Sequence, residues 1–242
     1  MTFRASLPPP EGHFLRRSVM DKATTEIFEN AANDAEIFSL LATFYNYNPE
    51  RKIIEGASNL NYEEISDEDV RLAVAKIRNY ALSGFPHSSE EKLLNLKRDW
   101  TKLFRAVSPD YGPKAPYEEV YLAVKNSGLI KELAALYLDA DYTRYAELNN
   151  RHDYIGIQLD FVAFLSFQRA NALKENNLKN YNKLTDLSHD FTVNHIASWF
   201  PKFCNEAFKH VRTDFYRGVL GLTYLALFDS SKLPSSYYET GA

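Results

Sequence analysis

The segment that most constrains this fold is residues 151–165, RHDYIGIQLDFVAFL, in which apolar side chains fill most positions after Tyr154. A helix that is hydrophobic on nearly every side has no face to present to water, so it lies inside a core. Asp153 stands just before this run, where the positive end of the helix dipole favours a carboxylate. The sequence therefore predicts a central helix, Asp153–Leu173, with a fixed acidic group at the edge of a large apolar bundle.

Helical periodicity extends along most of the chain, and no segment alternates cleanly between apolar and polar residues as a strand does. Apolar residues recur at helical spacing between Met20 and Tyr47. Ser66 and Ser88 each precede acidic residues in the pattern of a helix N-cap. Further on, one helix is predicted to end at Phe200 and a single helix to run from Pro201 to Asp229. The expected fold is an all-α single-chain bundle of roughly ten helices with no β-sheet.

Composition predicts an internal boundary at Ser108–Pro116, SPDYGPKAP, because three prolines and one glycine in this stretch cannot continue a helix. We expect one all-helical domain over residues 15–232, with an N-terminal part to about 107, a hinge at 108–116 and a C-terminal part from 117. Residues 1–14 are expected to form a disordered tail and residues 233–242 a flexible tail. A long hinge permits halves to exchange between chains, so we expect a monomer or a domain-swapped dimer.

Composition excludes several classes of protein. The 242 residues carry 28 Lys and Arg against 32 Asp and Glu, and the net charge of −4 argues against binding nucleic acid or an anionic membrane surface. No apolar stretch reaches the roughly 18 residues of a membrane span, so no stable membrane insertion is expected. Arg16 and Arg17 are followed by charged residues, which indicates the basic flank of a helix and not a cleavable signal. The one cysteine, Cys204, fits a reducing cytoplasm and forms no internal disulfide.

Motifs of catalysis are mostly missing, and we expect no catalytic residue, no metal and no cofactor. The sequence has no glycine-rich nucleotide loop and no nucleophile elbow. Two His-Asp pairs, at 152–153 and 189–190, keep one enzyme class open, a helical metal-dependent phosphohydrolase. Against it, His189 and His195 are six positions apart, about 600° of helix rotation, so they point in different directions. An unrelated helical scaffold is the third alternative.

Four segments carry a resemblance when they are taken in order. They are DWTKLF at 99–104, APYEEVYL at 115–122, HDYIGIQLDFVAFL at 152–165, and HIASWFPKF at 195–203 together with TDFYRGVLGL at 213–222. In order and spacing this set resembles the TorD/DmsD family of redox-enzyme maturation chaperones, over about residues 99–229. The chain departs from the family pattern at two positions. Tyr154 stands where the family has histidine, and Glu119 stands where the family has a small residue.

The resemblance implies a cytoplasmic, non-catalytic chaperone for a molybdopterin-containing oxidoreductase. Such a chaperone binds the twin-arginine signal peptide and the apo-enzyme until cofactor insertion and export, so the implied partners are that leader and the catalytic subunit. A leader with two arginines and an apolar stretch needs carboxylates beside an apolar trough. The candidate signal-peptide-binding residues are Leu103, Phe104, Pro116, Tyr117, Glu118, Glu119, Tyr121, Asp153 and Tyr154.

Structural roles remain open for several of these residues. Tyr117 and Tyr121 are four positions apart and could simply pack on each other along a helix. Asp153 could serve only as the cap of its own helix. His195, Trp199 and Phe215 are interpreted as core residues.

Overall fold

The computed structural model describes residues 22–83, 89–108, 111–122, 128–148, 150–228 and 232–238. These parts of the chain form eleven α-helices, and no β-strand occurs among them, so the all-α prediction is confirmed. The helices are α1 Lys22–Asn46, α2 Arg51–Ser58, α3 Glu68–Leu82, α4 Ser89–Phe104, α5 Glu118–Leu122, α6 Leu129–Asp139, α7 Ile155–Lys174, α8 Leu178–Phe191, α9 Phe200–His210, α10 Asp214–Phe228 and α11 Ser235–Tyr238. A 3-10 turn, Arg144–Ala146, and a π-helical turn, Thr192–Ala197, complete the set.

Several predictions of helix ends and tails fall on residues that the structure does not describe. They are the helix start at Met20, the helix N-cap at Ser88, the N-terminal tail over residues 1–14, and the end of the C-terminal tail over 239–242. Among the described helices, none combines the length and the apolar character needed to span a membrane.

The buried helix predicted from residues 153–173 is α7, and it lies at the centre of the bundle. Fourteen of its twenty residues are buried, as expected for a helix with no polar face. It runs antiparallel to α1. Asn46 at the end of α1 donates to the carbonyl of Gly156 near the start of α7 at 2.8 Å, and Asp34, earlier in α1, pairs with Arg169, later in α7. A side chain at position 156 would collide with Asn46, since a Cβ there would lie 2.3 Å from its Oδ1 atom. The glycine therefore sets how closely the two helices approach.

A second close approach joins α3 to α10 on another side of the core. A Cβ at Gly218 would lie 2.5 Å from the carbonyl oxygen of Ala73 and 2.7 Å from Cγ1 of Ile77. Only a residue without a side chain permits this distance between the helices. Gly218 thus permits the close packing of α10 on α3, and Gly221 makes room for the ring of Tyr237, since a Cβ at 221 would lie 2.6 Å from that ring.

The prediction of one helix from Pro201 to Asp229 is wrong, because the chain breaks between α9 and α10. Val211 adopts an extended backbone conformation with φ −65° and ψ 132°. The carboxylate of Asp99, which is 1% exposed, accepts hydrogen bonds from the backbone N–H of Thr213 at 2.8 Å and of Arg212 at 3.2 Å. It also accepts from the Thr213 hydroxyl at 2.7 Å. These bonds satisfy donors at the start of α10 and hold the break in place.

The helix expected to end at Phe200 also differs, since α8 ends at Phe191 and the π-helical turn follows it. At the C-terminus, the structure describes residues 233–238 of the predicted flexible tail, and the flexibility of that tail stays a prediction. Ser235–Tyr238 is a short helix, Tyr237 is buried, and its carbonyl accepts a 2.7 Å hydrogen bond from Arg217. In the proline-rich segment, the described residues 111–116 contain no helix, and their action as a hinge stays a prediction.

Candidate functional site

A short antiparallel contact joins two of the segments singled out in the sequence. Tyr117 and Tyr154 form an isolated β-bridge, in which the N–H of Glu118 donates to the Asp153 carbonyl at 3.0 Å. The N–H of Ile155 donates to the Pro116 carbonyl at 3.1 Å. This pairing brings residues 116–119 against residues 153–155, so the fold unites two groups of predicted site residues at the start of α5 and α7.

Beside this contact lies an arginine that the sequence analysis did not select. Arg151 donates from Nε to Oδ1 of Asp153 at 3.0 Å and from Nη2 to Oδ2 at 2.9 Å, a two-point ion pair. The same Nη2 also donates to Oε2 of Glu119. The guanidinium carbon lies 5.0 Å from the centroid of the Tyr117 ring, within cation–π distance. We refer to Tyr117, Glu119, Arg151 and Asp153 as the guanidinium cluster.

Within this cluster Asp153 does not cap its own helix, which was the structural alternative left open by the sequence. The N-cap residue of α7 is Tyr154, and the Asp153 carboxylate makes no bond to the first turn of that helix. It accepts instead from the backbone N–H of Glu119 at 3.2 Å, in the first turn of α5. Asp153 is 0% exposed, so water does not reach its carboxylate. Arg151 and the backbone of α5 must therefore supply the hydrogen bonds that the carboxylate accepts.

The neighbouring carboxylate, Glu118, turns into the core instead. It accepts a 2.7 Å hydrogen bond from Nε2 of Gln158, and its other oxygen lies 3.2 Å from Nδ1 of His195. Burial raises the pKa of the Glu118 carboxyl, and the hydrogen bond and charge of His195 and the bond from Gln158 oppose that rise. His195 is therefore engaged with Glu118. Among the described residues, no group of three or more His, Cys, Asp or Glu side chains is placed to hold a metal ion.

Most of the other candidate residues lie in the core. Leu103 and Phe104 are fully buried, and the Tyr154 hydroxyl donates to the carbonyl of Tyr45 at 2.8 Å. Tyr121 is also buried, and its ring stacks on Trp199. The ring of Tyr117 packs against Tyr154. Seven of the nine candidates are buried, namely Leu103, Phe104, Pro116, Glu118, Tyr121, Asp153 and Tyr154. Tyr117 and Glu119 keep partial exposure and form the accessible part of the site.

An apolar groove between α1 and α7 was not foreseen from the sequence. Its volume is about 800 Å³. On α7 it extends from Asp160 to Lys174, about 21 Å at the rise of an α-helix. Small and apolar residues line it: Phe28, Ala32, Ala35, Ser39, Leu40 and Thr43 on α1, and Ala163, Phe164, Phe167 and Ala170 on α7. Phe167 is 55% exposed and Leu40 is 37% exposed, so the groove presents apolar surface to solvent.

One end of the groove carries a buried carboxylate. Asp160 accepts a 2.6 Å hydrogen bond from the Tyr142 hydroxyl and lies 3.5 Å from Nε of Arg144. Lys174 lies at the other end, over the ring of Phe28. The groove therefore combines mostly apolar walls with charged groups at both ends and Glu36 on α1 between them, a combination suited to an amphipathic peptide.

Comparisons with known proteins place these features in a family context. A family model described as nitrate reductase delta subunit matches residues 63–205, which include the whole guanidinium cluster. The chain is 28% identical over 145 residues to "Chaperone protein TorD" of Aliivibrio fischeri, covering 57% of this chain and 64% of that protein. It is 30% identical over 109 residues to "Perchlorate reductase assembly chaperone protein" of Dechloromonas aromatica, covering 45% of this chain and 48% of that one. The matched region thus spans less than two thirds of either relative.

Proposed function

This chain belongs to the nitrate reductase delta subunit family, and on that basis we propose that it is a chaperone, not an enzyme, for assembly of a molybdopterin-containing oxidoreductase. The names of the two relatives, a TorD chaperone and a perchlorate reductase assembly chaperone, support this class of function. In our proposal the chaperone acts in the cytoplasm. It holds the apo-enzyme through its twin-arginine signal peptide until the cofactor is inserted and export follows.

The observation that carries the leader-binding part of the proposal is the geometry of the guanidinium cluster. Two carboxylates and one tyrosine ring already surround a guanidinium there. A planar guanidinium donates two parallel hydrogen bonds to a carboxylate and stacks on an aromatic face, which an ammonium group cannot reproduce. Tyr117, Glu119 and Asp153 are therefore chemically suited to an arginine side chain of a leader.

The groove between α1 and α7 suits the apolar stretch of the same leader. Exposed apolar surface such as that of Leu40 and Phe167 is unfavourable in water and becomes favourable when a partner covers it. The small residues Ala32 and Ala35 leave space above the α1 backbone for a second chain. At about 21 Å, the groove accommodates roughly four turns of an amphipathic helix.

Isothermal titration of the full chain with two synthetic leaders tests the proposal. One leader carries the arginine pair, and the matched control carries two glutamines at the same positions. We expect the arginine leader to bind at least about tenfold more tightly, because a charge-assisted hydrogen bond is worth about 1.5–3 kcal/mol. Binding should weaken with added salt, since salt screens partly exposed charges. Equal affinity for both leaders would rule out arginine recognition, and binding of neither would rule out the leader as the ligand.

A further inference from the structure

The guanidinium cluster is a complete arginine-binding site that is filled by an arginine of the chain itself. Arg151 makes the two-point contact with Asp153, the contact with Glu119 and the approach to the Tyr117 ring. Because Asp153 is 0% exposed, a second guanidinium has no access to its carboxylate while Arg151 remains in place. An arginine from a client must therefore compete with the internal one.

The two members of the pair differ in a way that permits exchange. The side chain of Arg151 is 44% exposed, whereas that of Asp153 is fully enclosed. Arg151 lies in the non-helical segment before α7, so its side chain can leave the cluster without moving a core helix. In contrast, the enclosed Asp153 carboxylate also accepts from the backbone N–H of Glu119 at 3.2 Å, which ties it to α5. Arg151 is thus the more accessible member of the pair, and Asp153 is the member held by the backbone.

We propose that Arg151 is an internal stand-in for a client arginine, and that leader binding at this site proceeds by exchange of one guanidinium for another. This inference rests on the proposed function and concerns the same site. Its physical basis is that a buried carboxylate without a cation is strongly unfavourable, so the free chaperone keeps Asp153 paired. A competitor in the same chain also lowers the apparent affinity for the client, because the site is open for only a fraction of the time.

Exchange has a consequence for specificity. A lysine in the leader offers a point charge and lacks the planar fork, so it cannot replace all of the contacts that Arg151 gives up. The cluster then selects arginine over lysine more strongly than simple attraction to two carboxylates does. Loss of Arg151 removes the competitor and should raise the affinity for an arginine leader.

The test compares leader binding by the wild type, Arg151→Gln and a matched control, Arg51→Gln. Arg51 also pairs with a glutamate, Glu90, but on the open surface and outside the cluster. We expect Arg151→Gln to bind the arginine leader at least about tenfold more tightly than the wild type, and Arg51→Gln to be unchanged. Unchanged or weaker binding by Arg151→Gln overturns the inference. Binding of the leader by the wild type, with dependence on its arginines, would still support the proposed function in that case.

A second measurement uses only the wild-type chain, so it stands even if Arg151→Gln fails to fold. The Nε–H resonance of Arg151 is followed by NMR during addition of each leader. The inference predicts that the arginine leader shifts this resonance and speeds its exchange with water, while the glutamine leader leaves it in place. A resonance unmoved at saturation with the arginine leader contradicts the exchange.

Discussion

In the proposed exchange, the interaction energy of the Arg151–Asp153 pair is what a client arginine would have to replace, and a double-mutant cycle measures that energy. Arg151→Met keeps an unbranched apolar side chain at this position and removes the guanidinium, which lies over the Tyr117 ring. Asp153→Asn keeps an oxygen that can accept from the N–H of Glu119 and removes the charge. The third variant combines both changes. Arg151→Met also removes the contacts of the guanidinium with Glu119 and the Tyr117 ring, and the cycle cancels these losses because they occur with and without the Asp153 charge.

The expected magnitude follows from the different exposures of the two side chains. Breaking a fully buried pair costs about 3–5 kcal/mol, whereas surface pairs contribute about 0–1 kcal/mol. Asp153 is fully enclosed and Arg151 is partly exposed, so solvent screens one side of the pair only. We therefore expect a coupling energy between those limits, about 1–2 kcal/mol, and a similar loss of stability in Asp153→Asn alone.

Urea unfolding at neutral pH, with the midpoint and slope fitted for all four proteins, provides the assay. The two-point geometry predicts that the loss in the double variant is smaller than the sum of the single losses. A coupling energy below about 0.5 kcal/mol would mean that the pair behaves as an ordinary surface ion pair. The enclosure of Asp153 would then not strengthen its interaction with Arg151. Asp153→Asn should also weaken binding of the arginine leader, because the charge that receives the guanidinium is lost.

Two further predictions concern the scaffold. Gly218→Ala should lower the free energy of unfolding by about 1–3 kcal/mol, because its new Cβ meets the Ala73 carbonyl at 2.5 Å. Gly56→Ala in α2 is the control, since no atom lies within 4 Å of its new Cβ, and it should stabilise by up to about 1 kcal/mol; urea unfolding that ranks the two the other way would contradict this packing. The second prediction compares the wild type with Glu118→Gln across pH. The pKa of Glu118 in the folded chain is raised above its ordinary 4.5, so ionisation of this carboxyl costs more free energy in the folded chain than in the unfolded chain. The stability of the wild type relative to the variant should therefore fall as pH rises from 4.5 through the folded pKa. A relative stability that rises over that window would show that His195 and Gln158 outweigh burial.

The central helix was predictable from the sequence because its signal is local. An apolar run with almost no polar face leaves one solution, burial on all sides, and residues 155–163 and 165 follow it, while Phe164 is partly exposed at the groove. The break between α9 and α10 was not predictable in the same way. The carboxylate that holds it belongs to Asp99, 114 positions before Thr213, and nothing in the local sequence around 211–213 indicates that partner.

The candidate site also combines residues that the local sequence identifies with residues that only the fold brings together. The sequence identified Glu118 and Glu119 together, but adjacent residues on a helix point about 100° apart, so one enters the core and the other reaches the cluster. Arg151 was missed because a single charged residue in a loop carries no pattern until the fold places Asp153 and Tyr117 beside it. In the groove, alanines at helical spacing on α1 resemble ordinary packing residues. Only the position of α7 shows that they leave an open surface.

The proposed chaperone function is tested by the maturation of molybdopterin oxidoreductases in cells that lack this chain. Deletion of its gene in the native host is followed by assay of oxidoreductase activity and of cofactor content in the purified enzymes. We expect one such enzyme to accumulate without cofactor and to lose its activity, and the wild-type chain to restore both. Unchanged activity and full cofactor content of every molybdopterin oxidoreductase in the deletion strain would contradict the proposed function.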